Sequence, residues 1–195
     1  SAPAGLDIPE GRVVLLTVGH LNPNKRVLEI IEVLGRHPDL AAQVLYVVIG
    51  SQQDAHHTRA VRAAIARHGL EGSVRLVGRC SDEELQEWMV RADVCLTLRH
   101  PVMEGASLSL VEQMAAGKPV VVTKDGVYAE APDDAVCQID PGAEAAQLPG
   151  VIRMLVDDPK ARRAMGDRAR VHAGAVHRAD RYAADLACGM GMDGR

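Results

Sequence analysis

The chain has 195 residues, of which 47% are hydrophobic and 25% charged, and its formal net charge is −4. This is the composition of one globular domain, and the negative charge together with only 2% aromatic residues argues against nucleic-acid binding. No apolar run is long enough to span a membrane, so we expect a cytoplasmic location, with peripheral membrane attachment through a further domain left open.

Six apolar runs rich in valine, isoleucine and leucine predict buried strands over 13–18, 44–49, 74–77, 94–98, 119–123 and 136–139. Helical spacing of apolar residues predicts helices over 25–34, 58–68, 107–116, 143–156, 159–173 and 179–188. A further helix begins at Ser81, because Ser81 and Glu84 have the spacing of a capping box.

Strands and helices alternate strictly, which is typical of a mainly parallel sheet covered by helices on both faces. The sequence therefore predicts a Rossmann-like, three-layer α/β/α domain over 13–188 with about six strands. Residues 1–12 are expected to be a linker or a cloning scar, and residues 189–195 a frayed tail. In such a sheet the carboxyl ends of the strands meet at one edge, where ligands bind.

The sequence shows no pattern for a metal or a dinucleotide. Its four cysteines have neither zinc-site nor redox-motif spacing, and its eight histidines show no metal spacing. The loop after the first strand lacks a dinucleotide fingerprint, and no phosphate-binding P-loop occurs. The ligand therefore has to be inferred from the loops at the carboxyl edge.

Two of these loops carry groups that suit an anion. The free N–H groups and the dipole at the amino end of the helix predicted over 107–116 favour a phosphate. Lys25, at the start of the helix predicted over 25–34, supplies a cation from the neighbouring loop. A charge-assisted hydrogen bond of this kind contributes roughly 1.5–3 kcal/mol.

Two acids flank the expected anion site. Glu112 lies in the second turn of the helix, and its side chain leans back toward the first turn because helical side chains tilt toward the amino end. Glu104 lies in the preceding loop. Each carboxylate is suited to accept sugar hydroxyls on one side of a phosphate, which favours a nucleoside–diphosphate–sugar ligand. We therefore expect Lys25, Glu104 and Glu112 to surround one cavity.

Three stretches then match one family in order. VGHLNPNKR (18–26) resembles a first loop that usually reads Gly-Arg-Leu-x-x-x-Lys-Gly, and EGASLSLVEQMAAGKPVVVT (104–123) resembles the E-x7-E signature and the strand after it. VRLVGRCSDEELQEWMVRADVCLTLR (74–99) is similar to the section between them. Over roughly 13–185 the sequence resembles the C-terminal, donor-binding domain of retaining glycosyltransferases of family four (glycosyl transferase group 1), with the GT-B fold.

The resemblance implies a hexosyl transfer from a donor of the UDP, GDP or ADP type, without a metal ion or other cofactor. It implies that Glu104 contacts the donor sugar, that Glu112 holds the ribose and that Lys25 stabilises the diphosphate leaving group. Backbone N–H groups near 107–108 are implied to bind the phosphates, and the base to lie beside residues 79–80. The implied catalytic residues are Lys25 and Glu104, and the implied donor-binding residues are His20, Asn22, Arg26, Arg79, Cys80, Gly105, Ala106, Ser107, Leu108 and Glu112.

The sequence departs from the family pattern at two positions and in extent. His20 stands where the family usually has arginine, which leaves the strength of diphosphate stabilisation open. Arg26 stands where the family usually has glycine, and is either a further phosphate contact or a solvated helix residue. The N-terminal acceptor domain of the family is absent from the sequence, so we expect this domain alone to bind donor without transferring sugar.

Three functions remain open at this stage. The first is the donor-binding half of a glycosyltransferase, whose partner is the acceptor domain of the same chain. The second is a nucleotide-sugar-binding module without catalysis, which the change to His20 and the absent half would favour. The third is an unrelated flavodoxin-like α/β regulatory domain.

Overall fold

Six parallel strands form a single sheet in the structure, a computed structural model that describes residues 8–176. The strands are β1 (Val13–Val18), β2 (Val44–Ile49), β3 (Val74–Gly78), β4 (Val94–Thr97), β5 (Val120–Thr123) and β6 (Val136–Ile139), each within one residue of its predicted bounds. Their order across the sheet is β3-β2-β1-β4-β5-β6, and every neighbouring pair is parallel. The predicted Rossmann-like α/β fold is confirmed.

Seven helices cover the sheet within the described residues: α1 (Val27–Arg36), α2 (Pro38–Ala41), α3 (Ala55–His68), α4 (Asp82–Arg91), α5 (Leu108–Ala115), α6 (Glu144–Asp157) and α7 (Pro159–Val176). The predicted capping box is present at the start of α4, where Ser81 and Glu84 exchange hydrogen bonds. The helix predicted over 179–188 lies outside the described residues. Of the helices in the described part of the chain, none has the length and hydropathy of a membrane span.

The helix predicted over 25–34 was placed two residues too early. Pro23–Lys25 form a 3₁₀ turn, and α1 begins at Val27. Arg26 separates the two with a φ of 58°, in the left-handed region that a helical residue does not adopt. Lys25 therefore lies in the loop rather than on the helix.

The core consists of two layers, one on each face of the sheet. Helices α1, α3 and α6 contribute side chains such as Ile30, Val61 and Ile152 to one layer. Helices α4, α5 and α7 contribute side chains such as Trp88 and Met114 to the other. Aliphatic side chains fill most of both layers, as the lack of phenylalanine requires.

The strand order reverses between β1 and β4, and this reversal locates the crevice at the carboxyl edge. The chain proceeds outward from β1 to β3 on one side and from β4 to β6 on the other. The loops that leave β1 and β4 therefore part in opposite directions, and ligands of open α/β sheets bind in the crevice between such loops. Lys25 lies in the first of these loops and Glu104 in the second.

The floor of this crevice depends on two glycines. Gly19 follows β1 and donates its N–H to the carbonyl of Ile49 at 2.8 Å, while Gly50 follows β2. Gly50 has a φ of +152°, and a Cβ at this position would lie 1.9 Å from the carbonyl oxygen of Gly19. No side chain fits there without moving the backbone of the first loop.

We predict that Gly50→Ala destabilises the domain by about 2–4 kcal/mol, because it adds both backbone strain and a steric clash. Gly72→Ala is the matched control, since a Cβ at Gly72 meets nothing within 4 Å and its φ is not strained. The measurement is the free energy of unfolding in urea. Equal stability of the two variants would contradict the close approach of the two loops.

Candidate functional site

Lys25 lies at the end of the 3₁₀ turn after β1, with its amine over the backbone of Gly19. A Cβ built on Gly19 would lie 2.8 Å from Lys25 Nζ. Burial and the charge of Arg99 lower the pKa of Lys25 to about 8, although the charge of Glu104 raises it. The amine is therefore mostly protonated at neutral pH, but its charge is poorly solvated.

Glu104 is held by two side chains that the sequence analysis did not identify. Its Oε1 accepts hydrogen bonds from the hydroxyl of Tyr128 at 2.6 Å and from Arg99 Nε at 3.3 Å. Its Oε2 accepts a longer one from the backbone N–H of Met103 at 3.4 Å. Burial alone would raise the pKa of Glu104, but these hydrogen bonds and the positive charges of Arg99 and Lys25 outweigh it and lower the pKa below its ordinary value.

Arg99 is the buried cation of the site. It lies two residues after β4, its side chain is 2% exposed, and its Nη1 donates to the carbonyl of Leu98 at 2.7 Å. Its charge acts on both Lys25 and Glu104. An arginine at the end of an apolar strand, five residues before a glutamate, was the available sequence signal for this role.

The amino end of α5 lies against the same network. Ser107 is the N-cap residue, and its hydroxyl accepts from the N–H of Leu110 at 3.3 Å and lies 3.0 Å from the hydroxyl of Tyr128. The residues before and after it, Gly105, Ala106 and Leu108, are exposed. The first N–H groups of a helix have no partner within it, so Leu108 offers its backbone donor to a ligand.

A second group of predicted residues lies on the β2–β3 side of the crevice. Residues His20, Arg79 and Cys80 line a cavity of about 220 Å³, together with Gly19 and Gly50. The remaining lining residues are Val18, Ile49, Ser51 and Leu85. His20 Nδ1 and the hydroxyl of Ser51 form a hydrogen bond, which fixes the imidazole at the rim.

Glu112 lines a smaller cavity of about 60 Å³ between α4 and α5. This cavity shares Val18 and Leu85 with the larger one, so the two are neighbours. Gln113, also in its lining, is fully buried; its Oε1 accepts from Thr97 at 2.6 Å, and its Nε2 has no partner among the described residues. A ligand reaching Glu112 would pass close to this buried donor.

The side chains of the remaining two predicted residues differ in their contacts. Arg26 pairs with Glu144 at 2.7 Å and with Glu29 at 2.9 Å, so its guanidinium is already bound to two carboxylates. Asn22 precedes the 3₁₀ turn, and its buried Oδ1 has no partner among residues 8–176. Donor binding by these two residues stays a prediction.

The structure does not join Lys25, Glu104 and Glu112 in one of the cavities described above. Glu112 lines the smaller of the two neighbouring cavities, whereas Lys25 and Glu104 line neither and are linked to each other by charge. These two cavities do not test the common cavity, which stays a prediction. The crevice has two parts: the hollows lined by His20 and by Glu112, and a charged cluster of Lys25, Arg99 and Glu104 at the amino end of α5.

The model of the family described as glycosyl transferases group 1 matches residues 2–172 of the chain. An MMP α-(1→4)-mannosyltransferase of Mycolicibacterium hassiacum is 34% identical over 112 residues, which cover 56% of this chain and 26% of that protein. A D-inositol 3-phosphate glycosyltransferase of an Arthrobacter species is 29% identical over 175 residues, which cover 87% of this chain and 40% of that protein. The chain thus spans between about a quarter and two-fifths of these curated relatives.

Among solved structures, that of HepE from Anabaena in complex with UDP superposes on the chain with a TM-score of 0.79. The two are 23% identical, and the match covers 93% of this chain and 49% of HepE. HepE has also been solved in complex with UDP-glucose. The likeness agrees with the predicted α/β architecture, which is one half of a GT-B fold.

The charge coupling within the site gives a direct test of its geometry. Glu104→Gln removes a negative charge that raises the pKa of Lys25, so we predict that this pKa falls below its value of about 8. The measurement is an NMR titration of ¹³C-dimethylated lysines. Glu130→Gln, which removes an exposed carboxylate, should leave the pKa of Lys25 unchanged. An unchanged Lys25 titration in Glu104→Gln would show that the two groups are not neighbours.

Proposed function

The chain belongs to the group 1 glycosyl transferase family, and from this we propose that it is the donor-binding part of a retaining glycosyltransferase. Its ligand is a nucleoside diphosphate sugar, bound along the carboxyl edge of the sheet. The observation that carries the proposal is the convergence of Lys25 and Glu104 on the amino end of α5, in the crevice where the strand order reverses. Family membership also rules out the flavodoxin-like alternative.

The two parts of the crevice suit the two ends of such a ligand. The base enters the cavity lined by His20, Arg79 and Cys80, and the ribose hydroxyls reach Glu112 in the adjoining cavity. The diphosphate then lies across the amino end of α5, where the free N–H groups and the helix dipole favour it. This order places the donor sugar beside Glu104.

Lys25 is the group we assign to the leaving diphosphate. When the bond from the anomeric carbon to the phosphate oxygen breaks, negative charge develops on that oxygen, and a fixed cation lowers the energy of the transition state. The acceptor hydroxyl attacks from the same face, and its proton passes to the departing phosphate, which preserves the anomeric configuration. No metal ion is required in this scheme, because Lys25 and the helix N–H groups supply the positive charge.

Transfer itself requires a second surface that holds the acceptor. The chain spans well under half of the curated relatives it matches, and we propose that this surface is an acceptor domain of a longer protein. The alternative of a nucleotide-sugar-binding module without catalysis shares the same donor site. It differs in predicting no sugar transfer when an acceptor domain is present.

Calorimetric titration of this chain with UDP, GDP, ADP and their glucose and mannose derivatives, in buffer containing EDTA, tests the proposal. We expect at least one nucleoside diphosphate to bind, and added Mg²⁺ not to tighten binding. If no member of the panel binds, the proposed function is wrong. If binding requires the metal, the metal-free scheme is wrong.

Two substitutions should distinguish the contribution of the diphosphate to binding from that of the nucleoside. Lys25→Met should weaken the bound nucleoside diphosphate about tenfold or more, the value of a charge-assisted hydrogen bond, but change nucleoside binding little. Glu112→Ala should weaken both ligands by the same factor, because both contain the ribose. Lys160→Met, at an exposed lysine at the start of α7, is the control. Equal effects of Lys25→Met on nucleoside and diphosphate would contradict the assignment.

A further inference from the structure

Tyr128 joins the two functional elements of the charged cluster. Its side chain is fully buried, and its hydroxyl lies 2.6 Å from Glu104 Oε1 and 3.0 Å from Ser107 Oγ. Glu104 belongs to the loop after β4, and Ser107 caps α5. A single phenol thus contacts both the carboxylate assigned to the sugar and the helix end assigned to the diphosphate.

The turn that carries Tyr128 is packed directly on the loop of Glu104. Tyr128 lies in the 3₁₀ turn Gly126–Glu130, which follows β5. Gly126 opens this turn with a φ of +50°, and a Cβ there would lie 2.8 Å from a methyl group of Val102. The position of the phenol relative to Glu104 is therefore set in part by the packing of the Val102 side chain against the backbone of Gly126.

One carboxylate oxygen of Glu104, Oε2, remains able to accept a hydrogen bond from a ligand. The hydroxyl of Tyr128 has one proton and therefore donates only one hydrogen bond. It donates to Glu104, because this contact is the shorter of the two and an ionised carboxylate can only accept. Oε1 is thus occupied by Tyr128 and Arg99, whereas the one contact of Oε2 within residues 8–176 is the 3.4 Å hydrogen bond from the N–H of Met103. The Glu104 side chain is 31% exposed, so it is open to an approaching hydroxyl.

The phenol remains a donor over the whole working range of pH. Burial, together with the nearby carboxylate of Glu104, raises the pKa of Tyr128 to about 12. Tyr128 is therefore neutral when Glu104 is ionised. The short O–H···O contact between them is of the strong, charge-assisted kind.

From this arrangement we infer that Tyr128 is a positioning residue for the donor sugar: it anchors Oε1 of Glu104 so that Oε2 meets a sugar hydroxyl. The inference rests on the proposed function, since it assumes a nucleotide sugar in the crevice. It goes further by dividing recognition into two separable parts. The Tyr128–Glu104 pair binds the sugar, and the cavities beside His20 and Glu112 bind the nucleoside.

A merely structural tyrosine would behave differently. Loss of a structural hydroxyl would lower stability and affect all ligands of the site alike, including the nucleotide alone. Loss of a positioning hydroxyl would change only the part of the affinity that the sugar adds. The informative quantity is therefore the ratio of the dissociation constant of a nucleoside diphosphate to that of its sugar derivative.

The experiment measures this ratio by calorimetry for UDP with UDP-glucose, GDP with GDP-mannose and ADP with ADP-glucose, using the pair that the parent chain binds most tightly. Tyr128→Phe removes only the hydroxyl, and we expect the nucleotide sugar to bind about tenfold more weakly while the nucleotide alone stays within about twofold. Tyr46→Phe is the matched control. It removes another buried tyrosine hydroxyl, which contacts Thr17 at 3.0 Å instead of Glu104.

The double variant Glu104→Gln/Tyr128→Phe decides whether Tyr128 acts through Glu104. We expect its ratio to equal that of Glu104→Gln alone, because a positioning residue adds nothing once its target carboxylate is gone. Three results would each overturn the inference. The first is that the two substitutions have additive effects on the ratio in the double variant. The others are that Tyr128→Phe weakens nucleotide and nucleotide sugar equally, or that Tyr46→Phe changes the ratio as much as Tyr128→Phe does. Failure of the parent to bind any of the pairs would instead overturn the proposed function itself.

Discussion

Two cations and one carboxylate share a partly desolvated space at the carboxyl edge of the sheet, and the account of this protein depends on that arrangement. Lys25 and Arg99 repel each other, and Glu104 compensates only one of the two charges. One positive charge remains in excess where water is scarce, which is costly unless a counter-ion is supplied. Burial, and after it the charge of Arg99, lower the pKa of Lys25 to about 8. An anion bound at the amino end of α5 would relieve this excess.

The fold determines where these charged side chains meet, whereas the side chains themselves supply the charges. Parallel strands bring all their carboxyl ends to one edge, and the reversal between β1 and β4 separates the loops that follow them. The first loop carries the cation Lys25, and the second carries the buried cation Arg99 and the acid Glu104. The third contributor, Tyr128, comes from the turn after β5, the next strand along. Three consecutive strands of the sheet, β1, β4 and β5, thereby build one charged cluster.

Sequence patterns predicted the strands well, because each is a short run of β-branched and aliphatic residues bounded by glycine or polar residues. They also predicted that Lys25 and Glu104 lie in the loops after β1 and β4, since both belong to recognisable loop motifs. They did not predict the start of α1, which depends on the left-handed backbone at Arg26. Arg99 and Tyr128 were missed because their roles arise from contacts across the fold; Tyr128 meets Glu104 over a separation of 24 residues. The common cavity of Lys25, Glu104 and Glu112 stays a prediction, since cavity shape depends on how side chains of several elements pack.

The most direct test of the central claim is a crystal structure of this chain with a bound nucleoside diphosphate. The account predicts a diphosphate at the amino end of α5, with phosphate oxygens about 3 Å from Lys25 Nζ and from the backbone nitrogen of Leu108, and with the ribose beside Glu112. A nucleotide bound elsewhere on the chain, or one whose phosphates point away from α5 and Lys25, would contradict it.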